Sequence, residues 1–240
     1  MKKEFPWTKA EFDAMTREAI SAYWLTREKQ TSANKGGKKD TGTRKAVTGG
    51  KHLDALSELV SRVILGAGFA QEDIHFDKDL ILPGYYHAQK KWDIVVARGN
   101  RLHAAIELKS QSGSFGNNQN NRIEEVLGLA RDFWVAYREK AYGLERPWIG
   151  YAFLLEDSPK SRTPVSLKKS PFPALPGFKG TDYAGRYAIA CERLVLERDY
   201  DATALLLAAR QSPGDFDVPA EAHSFYNFCR TLYRRLRAEA

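Results

Sequence analysis

Cysteine is scarce in this chain, which has only Cys191 and Cys229 among its 240 residues. Two cysteines this far apart cannot form a CxxC zinc site. We expect both to pack as small hydrophobic side chains, in a protein of a reducing compartment.

Long apolar runs are absent as well. The longest, Trp148 to Leu155, is far too short to cross a bilayer, and the basic N-terminal residues are not followed by an apolar run. We therefore expect a soluble, cytoplasmic protein.

Several common catalytic signatures are also missing. The five histidines show no HxxxH spacing, and the chain contains no GxGxxG, no GK[ST] and no G-x-S-x-G sequence. These absences exclude the usual zinc hydrolases, nucleotide-binding motifs and serine hydrolases. Neither a repeat nor a long linker divides the chain, so residues 1–240 are predicted to form a single domain.

Basic residues are in excess, with 37 lysines and arginines against 30 acidic residues. This balance favours a polyanionic partner, although many basic proteins never bind nucleic acid. Residues 29–50 are predicted to be a mobile basic loop, either without a role or ordered along phosphates, and residues 156–181 a proline-rich basic loop. The candidate DNA contacts in the first loop are Lys38, Lys39, Arg44 and Lys45.

Two acids and a lysine lie on two adjacent predicted strands in KKWDIVVARGNRLHAAIELKSQ. Glu107 and Lys109 are two residues apart, so a strand places both side chains on one face. With Asp93 on the preceding strand, a carboxylate pair can hold a hard cation such as Mg²⁺, and the ammonium can orient or help to deprotonate the attacking water. The trio predicts metal-assisted phosphodiester cleavage, and the plainer alternative is a solvated pair on an edge strand.

The length of the turn between these strands decides whether the two acids meet. A two-residue loop at 99–100 pairs Asp93 with Ile106 and puts Asp93 on the wrong face. A three-residue loop at 99–101 pairs Asp93 with Glu107 instead. The shared-metal hypothesis therefore requires the longer loop or a β-bulge.

Two further metal ligands are candidates. The backbone carbonyl of Leu108 lies between Glu107 and Lys109 in the sequence. Glu58 lies in a predicted helix that ends at Gly66 or Gly68, and it is either an ordinary polar-face residue or an accessory metal ligand.

The segment after Lys109, SQSGSFGNNQNNRIEE, is rich in amide side chains. Amides can read adenine and arginine can read guanine in the major groove. Asn121 and Glu124 fit a capping box, so a helix is predicted to begin there. The candidate DNA contacts are Gln111, Asn117, Asn118, Gln119, Asn120 and Arg122, with Lys90 and Lys91 from the aromatic, basic loop before Asp93.

The order of elements predicts an α/β fold with a mixed central β-sheet flanked by helices. Thr8 and Glu11 form a capping box for a first helix that ends at about Arg27. After the proline-rich loop the remaining third is predicted to be helical, with Asp182 capping one helix and residues 225–236 forming the last.

Four segments resemble the XhoI family of type II restriction endonucleases. They are GTRKAVTGGKHLD (42–54), LPGYY with WD (82–93), ELKSQSGSFGNNQNNRIEE (107–125) and WVAYRE (134–139). Weaker agreement at 156–165 and 186–202 extends the resemblance over most of the chain. The asparagine-containing block is far more specific than the metal motif.

This resemblance implies a homodimeric endonuclease with a PD-(D/E)XK core that uses Mg²⁺ and cuts the palindrome CTCGAG after its first cytosine. It also implies a cognate protective DNA methyltransferase. By position, Asp93 and Glu107 would be the metal ligands and Lys109 the catalytic lysine. Trp92 stands where the class name has proline.

Two other functions remain compatible with these residues. A DNA-binding protein without catalysis would retain the basic loops and the amide block, but the intact acids and Lys109 favour an enzyme. A nuclease of the same fold that acts on repair or junction substrates would differ only in its substrate.

Overall fold

A five-stranded mixed sheet forms the centre of the protein. The computed structural model describes residues 4–35, 51–77 and 79–240. The strands are β1 (Ile74–Phe76), β2 (Ile94–Arg98), β3 (Arg101–Gln111), β4 (Trp148–Glu156) and β5 (Ala202–Ala208). They lie side by side in chain order; β1, β2 and β3 are antiparallel, whereas β3, β4 and β5 are parallel.

Helices cover both faces of this sheet, because the side chains of its strands are apolar on both sides. The helices are α1 (Lys9–Lys35), α2 (Asp54–Gly66), α3 (Phe115–Arg138), α4 (Tyr183–Leu196) and α5 (Phe225–Arg237). One face packs against α1, α2 and α5, and the other packs against α3 and α4. The predicted α/β fold is confirmed, and the arrangement is that of a restriction-endonuclease-like core.

Several local predictions hold in the structure. The Thr8 hydroxyl accepts from the Glu11 backbone N–H at 3.3 Å, while the Glu11 carboxylate accepts from the Thr8 N–H at 2.8 Å. The Asp182 carboxylate caps α4 by accepting from the Gly185 N–H at 2.7 Å. Both cysteines are buried thiols. Among the described residues, no helix combines the length and apolar character needed to cross a bilayer.

The prediction of an all-helical final third is wrong, because residues 202–208 form β5. Every residue of this strand is buried, so its sequence, ATALLLA, shows no alternation between apolar and polar side chains. A short run of alanine and leucine without periodicity does not distinguish a buried strand from a buried helix. Residues 157–182 form the predicted connection without a helix or strand.

Two predicted helix boundaries are also wrong. Helix α1 continues past Arg27 to Lys35, because neither proline nor glycine interrupts residues 28–35 and the first glycine is Gly36. Helix α3 begins at Phe115, so the predicted capping box at Asn121 lies inside the helix. The rest of the predicted basic loop, residues 36–50, lies outside the described residues, as do Lys38, Lys39, Arg44 and Lys45.

A single buried carboxylate holds the loop that precedes β2. Asp132 of α3 accepts from the backbone N–H groups of Tyr85 and Tyr86, both at 2.7 Å, and its Oδ2 is 2.9 Å from His87 Nδ1. A Cβ at Gly84 would lie 2.6 Å from Asp132 Oδ2, so the loop requires glycine there. The loop starts and ends at the backbone pair Leu82 and Lys90, and it leads directly into Asp93.

Candidate active site

A β-bulge in the β2–β3 hairpin aligns the two acids of the predicted trio. The turn has only two residues, which by itself would pair Asp93 with Ile106. His103 is an extra residue on β3, so the register shifts by one and Ile94 pairs with Ile106 instead. One step further, Asp93 lies opposite Glu107. Of the two geometries that the hypothesis allowed, the structure has the bulge.

A distant segment holds this bulge in place. The buried His103 ring has its Nδ1 2.7 Å from a carboxylate oxygen of Glu239, just after α5, and it packs edge-on against Phe69 at 4.7 Å between ring centres. The same Glu239 carboxylate oxygen is 3.2 Å from the Arg101 guanidinium. The hairpin register is thus tied to the C-terminal end of the chain.

The three predicted catalytic side chains meet at the ends of β2 and β3. The Lys109 ammonium contacts the Glu107 carboxylate directly and lies 3.5 Å from Asp93 Oδ2. The Leu108 backbone N–H donates to Asp93 Oδ2 at 2.7 Å. Because the N–H and C=O of a strand residue point to the same side, the Leu108 carbonyl also faces the side where Asp93 lies.

Burial and neighbouring charges set the protonation of Glu107 and Lys109. Burial raises the pKa of Glu107 to about 7, the Lys109 ammonium opposes that rise, and the Asp93 carboxylate adds to it. Burial disfavours the charged form of Lys109, but the neighbouring carboxylates outweigh it and its pKa is raised. Lys109 therefore remains protonated at neutral pH, which suits a hydrogen-bond donor and cation better than a base.

The oxygen atoms of the trio fit a hard divalent cation. Glu107 is 7% exposed, and its Oε2 is buried without a hydrogen-bond partner in the part of the chain that the structure describes. A cation would satisfy this atom together with Asp93 and the Leu108 carbonyl. Mg²⁺ is typically held by one or two carboxylates, keeping its other positions for water and substrate phosphate, so two acids suffice.

Glu58 does not join these acids. Its side chain is 66% exposed and pairs with Arg62 at 2.8 Å. Within residues 4–35, 51–77 and 79–240, no group of three or more acidic, histidine or cysteine side chains is placed to hold a metal ion. Glu58 nevertheless lines the same cavity as Asp93.

An open cavity of about 860 Å³ joins Asp93 and Lys109 to both helical layers. Its volume is within the range of ordinary ligand sites. Besides Asp93, Leu108 and Lys109, its wall includes Arg27, His52, Glu58, Asp77, Ser110, Ser112, Asn118 and Arg122. Arg27, His52 and Asp77 were not predicted, since they come from separate segments and carry no motif. Ser110 directly follows Lys109 in the sequence and Ser112 comes two residues later, and this closeness was the one sequence signal that pointed to the serines.

The predicted amide block is divided by the helix that carries it. Asn118 and Arg122 lie one turn apart on α3 and line the cavity. Asn117 and Asn120 are exposed elsewhere on the helix, whereas Gln119 is buried.

Gln111 is also buried, at the cavity wall. Its amide oxygen accepts from the Tyr187 hydroxyl, and its amide nitrogen donates to the carbonyls of Gly113 and Ser114 at 3.3 and 3.4 Å. These bonds hold the turn between β3 and α3. Gln111 therefore supports the segment that presents the amide block.

Lys90 and Lys91, which precede Asp93 in the sequence, differ in their surroundings. Lys90 is close enough to Glu107 to oppose the rise in the pKa of that carboxyl group. Lys91 is exposed, with its ammonium 3.8 Å from the carboxylate of Asp77. Both lie at the rim of the site.

Comparison with known proteins identifies the family. The family model described as restriction endonuclease XhoI matches residues 31–218. Type II restriction enzyme BstVI of Geobacillus stearothermophilus is 43% identical over 211 residues, covering 84% of this chain and 94% of that enzyme. Type II restriction enzyme XhoI of Xanthomonas vasicola is 36% identical over 192 residues, covering 78% of this chain and 77% of that enzyme.

A third relative agrees with these two. Type II restriction enzyme AbrI of Azospirillum brasilense is 43% identical over 156 residues, covering 63% of this chain and 70% of that enzyme. No solved structure gives a significant match. Type II restriction enzymes are site-specific endonucleases that act on double-stranded DNA and generally use a divalent metal ion. The chain therefore belongs to the restriction endonuclease XhoI family and is a type II restriction endonuclease.

Proposed function

We propose that this enzyme hydrolyses DNA at the palindrome CTCGAG, after the first cytosine, with Mg²⁺ as its cofactor. The observation that supports the proposed catalysis is that the bulge brings Asp93, Glu107 and Lys109 together. Within the described chain, one buried oxygen of Glu107 is left without a hydrogen-bond partner. The sequence specificity rests on the segments shared with the XhoI family, above all residues 107–125.

Each member of the trio has a distinct role in this proposal. Asp93, oriented by the Leu108 N–H, and Glu107 are the cation ligands, with the Leu108 carbonyl as a third oxygen. Bound Mg²⁺ supplies Lewis acidity toward the scissile phosphate. Lys109 is held between both carboxylates, so its ammonium is placed to orient the attacking water and to stabilise charge on the phosphate oxygens.

The proposed base contacts come from the cavity side of α3. Asn118 and Arg122 are our candidates for direct reading of the bases, because they face the same cavity as Asp93 and Lys109. The buried amides of Gln111 and Gln119 would act by holding this segment in place. The remaining proposed DNA contacts are Lys90, Lys91, Asn117 and Asn120, together with Lys38, Lys39, Arg44 and Lys45 of the basic segment, which lies outside the described residues.

A palindromic target is read most simply by a two-fold dimer in which each subunit cuts one strand. We therefore propose a homodimer of this single-domain chain. A cognate methyltransferase that protects the host DNA completes the proposed restriction system, which acts in the cytoplasm.

Cleavage of a plasmid with one CTCGAG site tests this function. We expect the wild-type enzyme to linearise it with Mg²⁺ but not with EDTA, and the ends to map after the first cytosine. Asp93→Ala and Lys109→Ala should lose cleavage by roughly 10²-fold or more while retaining specific binding. Asp215→Ala, an exposed aspartate after β5, is the matched control and should cut normally.

Two results would contradict the proposal. Specific binding without any cleavage by the wild-type enzyme would identify a DNA-binding protein that lacks catalysis. Cleavage at another sequence, or only at branched or damaged DNA, would refute CTCGAG as the target.

A further inference from the structure

A second group of polar side chains lies on the opposite face of β3 from the catalytic lysine. Ser110 directly follows Lys109, so its side chain points to the other side of the strand, toward α1. Ser112 comes just after the strand ends. Arg27 of α1 and His52 lie beside these serines, and all four residues line the same cavity as Asp93 and Lys109.

Hydrogen bonds within this group are already formed in the protein. The Arg27 guanidinium donates to the Ser112 hydroxyl oxygen, and His52 Nε2 is 3.1 Å from the Ser110 hydroxyl oxygen. His52 is 7% exposed and Tyr23, beneath it, is 1% exposed. The Tyr23 hydroxyl lies beside both serines, and their hydroxyl groups oppose the rise in its pKa that burial causes.

The group presents hydrogen-bond donors. Burial, and then the charge of Arg27, lower the pKa of His52 to about 4, so its ring is neutral. Its Nδ1 is buried without a partner in the described chain, and a buried N–H left unpaired is rare, which places the proton on Nε2. Nε2 then donates to Ser110, as Arg27 donates to Ser112. Neither of these two bonds uses a serine hydroxyl hydrogen, so each hydroxyl can turn to donate to an acceptor in the cavity.

Arg27 supplies a positive charge, and Ser110 and Ser112 supply two hydroxyl donors. A phosphate group fits these three residues, because it is negatively charged and its oxygens only accept hydrogen bonds. Lys109 and Ser110 point to opposite faces of β3, and Ser112 lies about 10 Å further along the chain than Lys109. A phosphate held by Arg27, Ser110 and Ser112 would therefore be a different group from the scissile phosphate beside Lys109.

We propose that Arg27, Ser110 and Ser112 bind a second phosphate of the cleaved strand, close to the phosphate that the trio attacks. His52 and Tyr23 are the buried support that aims the serine hydroxyls. This inference rests on the proposed nuclease function. The second phosphate site would fix the strand along β3, so that the scissile phosphate meets Lys109.

Salt dependence of DNA binding tests this phosphate site. Binding to a duplex that carries CTCGAG is measured in EDTA at several salt concentrations for wild type, Arg27→Gln and Ser112→Ala. For Arg27→Gln we expect the slope of log K against log salt to fall by about 0.9 for each phosphate that is no longer neutralised, with affinity reduced equally for specific and random DNA. Arg138→Gln, at the far end of α3, is the matched control and should keep the wild-type slope.

Neutral methylphosphonate substitutions, placed at single positions along the strand, locate the phosphate. A methylphosphonate at one position near the cleaved bond should reduce the affinity of wild type but should not reduce the affinity of Arg27→Gln any further. Methylphosphonates at the other contacted phosphates should weaken both proteins equally. Ser112→Ala removes only a hydroxyl and serves if Arg27→Gln fails to fold.

An unchanged slope for Arg27→Gln, or methylphosphonate profiles of both variants that are identical to that of wild type, would overturn this inference. Failure of the wild-type enzyme to cut the plasmid would instead overturn the proposed function. The two failures are therefore distinguishable.

Discussion

Among Asp93, Glu107 and Lys109, the side chain of Glu107 is the most deeply buried. Its side chain is almost fully buried and contacts only one cation, Lys109, directly within the described chain. One of its oxygens has no hydrogen-bond partner there, which is costly for a carboxylate unless another cation approaches. The residue is therefore arranged for a state in which a divalent ion is bound.

This arrangement predicts a pH-dependent stabilisation by Mg²⁺. The folded-state pKa of Glu107 is raised from 4.5 to about 7, so its contribution to stability without metal is full below pH 4.5 and lost as pH rises through 7. A cation requires the ionised carboxylate and competes with the proton. The increase in Tm caused by Mg²⁺ should therefore grow as pH rises through about 7 and level off above it.

Thermal melts with Mg²⁺ or EDTA on both sides of this pH measure the effect. Glu107→Gln is the control, because glutamine does not titrate and should show little Mg²⁺ stabilisation at any pH. A wild-type Mg²⁺ effect that is constant across this range would contradict the role of Glu107.

At the level of elements, the position of each residue around α3 decides which of the similar amide side chains face the cavity. Residues four apart share a helix face, so Asn118 and Arg122 both line the cavity, whereas Gln119 turns toward the core. The sequence alone presented these residues as one block. Its capping-box pattern at Asn121 failed because the sharp turn at Gly113 and Ser114, both with positive φ, starts the helix earlier.

The position of each residue around the helix predicts which side chains of this segment read the DNA bases. Asn118→Ala and Arg122→Ala should each weaken binding to CTCGAG by about 1–3 kcal/mol, because hydrogen bonds to a base are removed, with little effect on random DNA. Asn121→Ala, exposed on the same helix but not lining the cavity, is the matched control. Quantitative binding to both duplexes checks this, and an equal reduction in affinity for the two would refute base reading.

Some features of the β2–β3 hairpin follow from its own residues, whereas its register does not. Alternation of side chains correctly placed Glu107 and Lys109 on one face, and the turn residues limited the register to two choices. The choice depended on the bulge at His103, which Glu239 holds from the other end of the chain. Such a long-range interaction has no signature within the hairpin itself.

At the scale of the whole molecule, the trio lies at the ends of the antiparallel strands, where one cavity reaches both helical layers. One such site can cut one strand of DNA. Cleavage of both strands at a palindrome therefore predicts a second subunit related by two-fold symmetry.

Two measurements test this assembly. Light scattering should give a mass near twice the 27.1 kDa of the chain. Mixed dimers with one Asp93→Ala subunit should nick the plasmid rather than linearise it, because only one strand then meets a complete site. A monomeric enzyme that cuts both strands in one event would contradict the prediction.

The sequence by itself determined the features that depend on neighbouring residues. These are the pairing of Glu107 and Lys109 on one face, the caps at Thr8 and Asp182, and the strands and helices with clear periodicity. Only the tertiary structure decided the hairpin register, the strand β5, the burial of Glu107, and the approach of Arg27 and His52 to the catalytic strand. The physical reason is that side-chain periodicity reports which face of an element is buried, whereas it carries no information about which distant segment buries it.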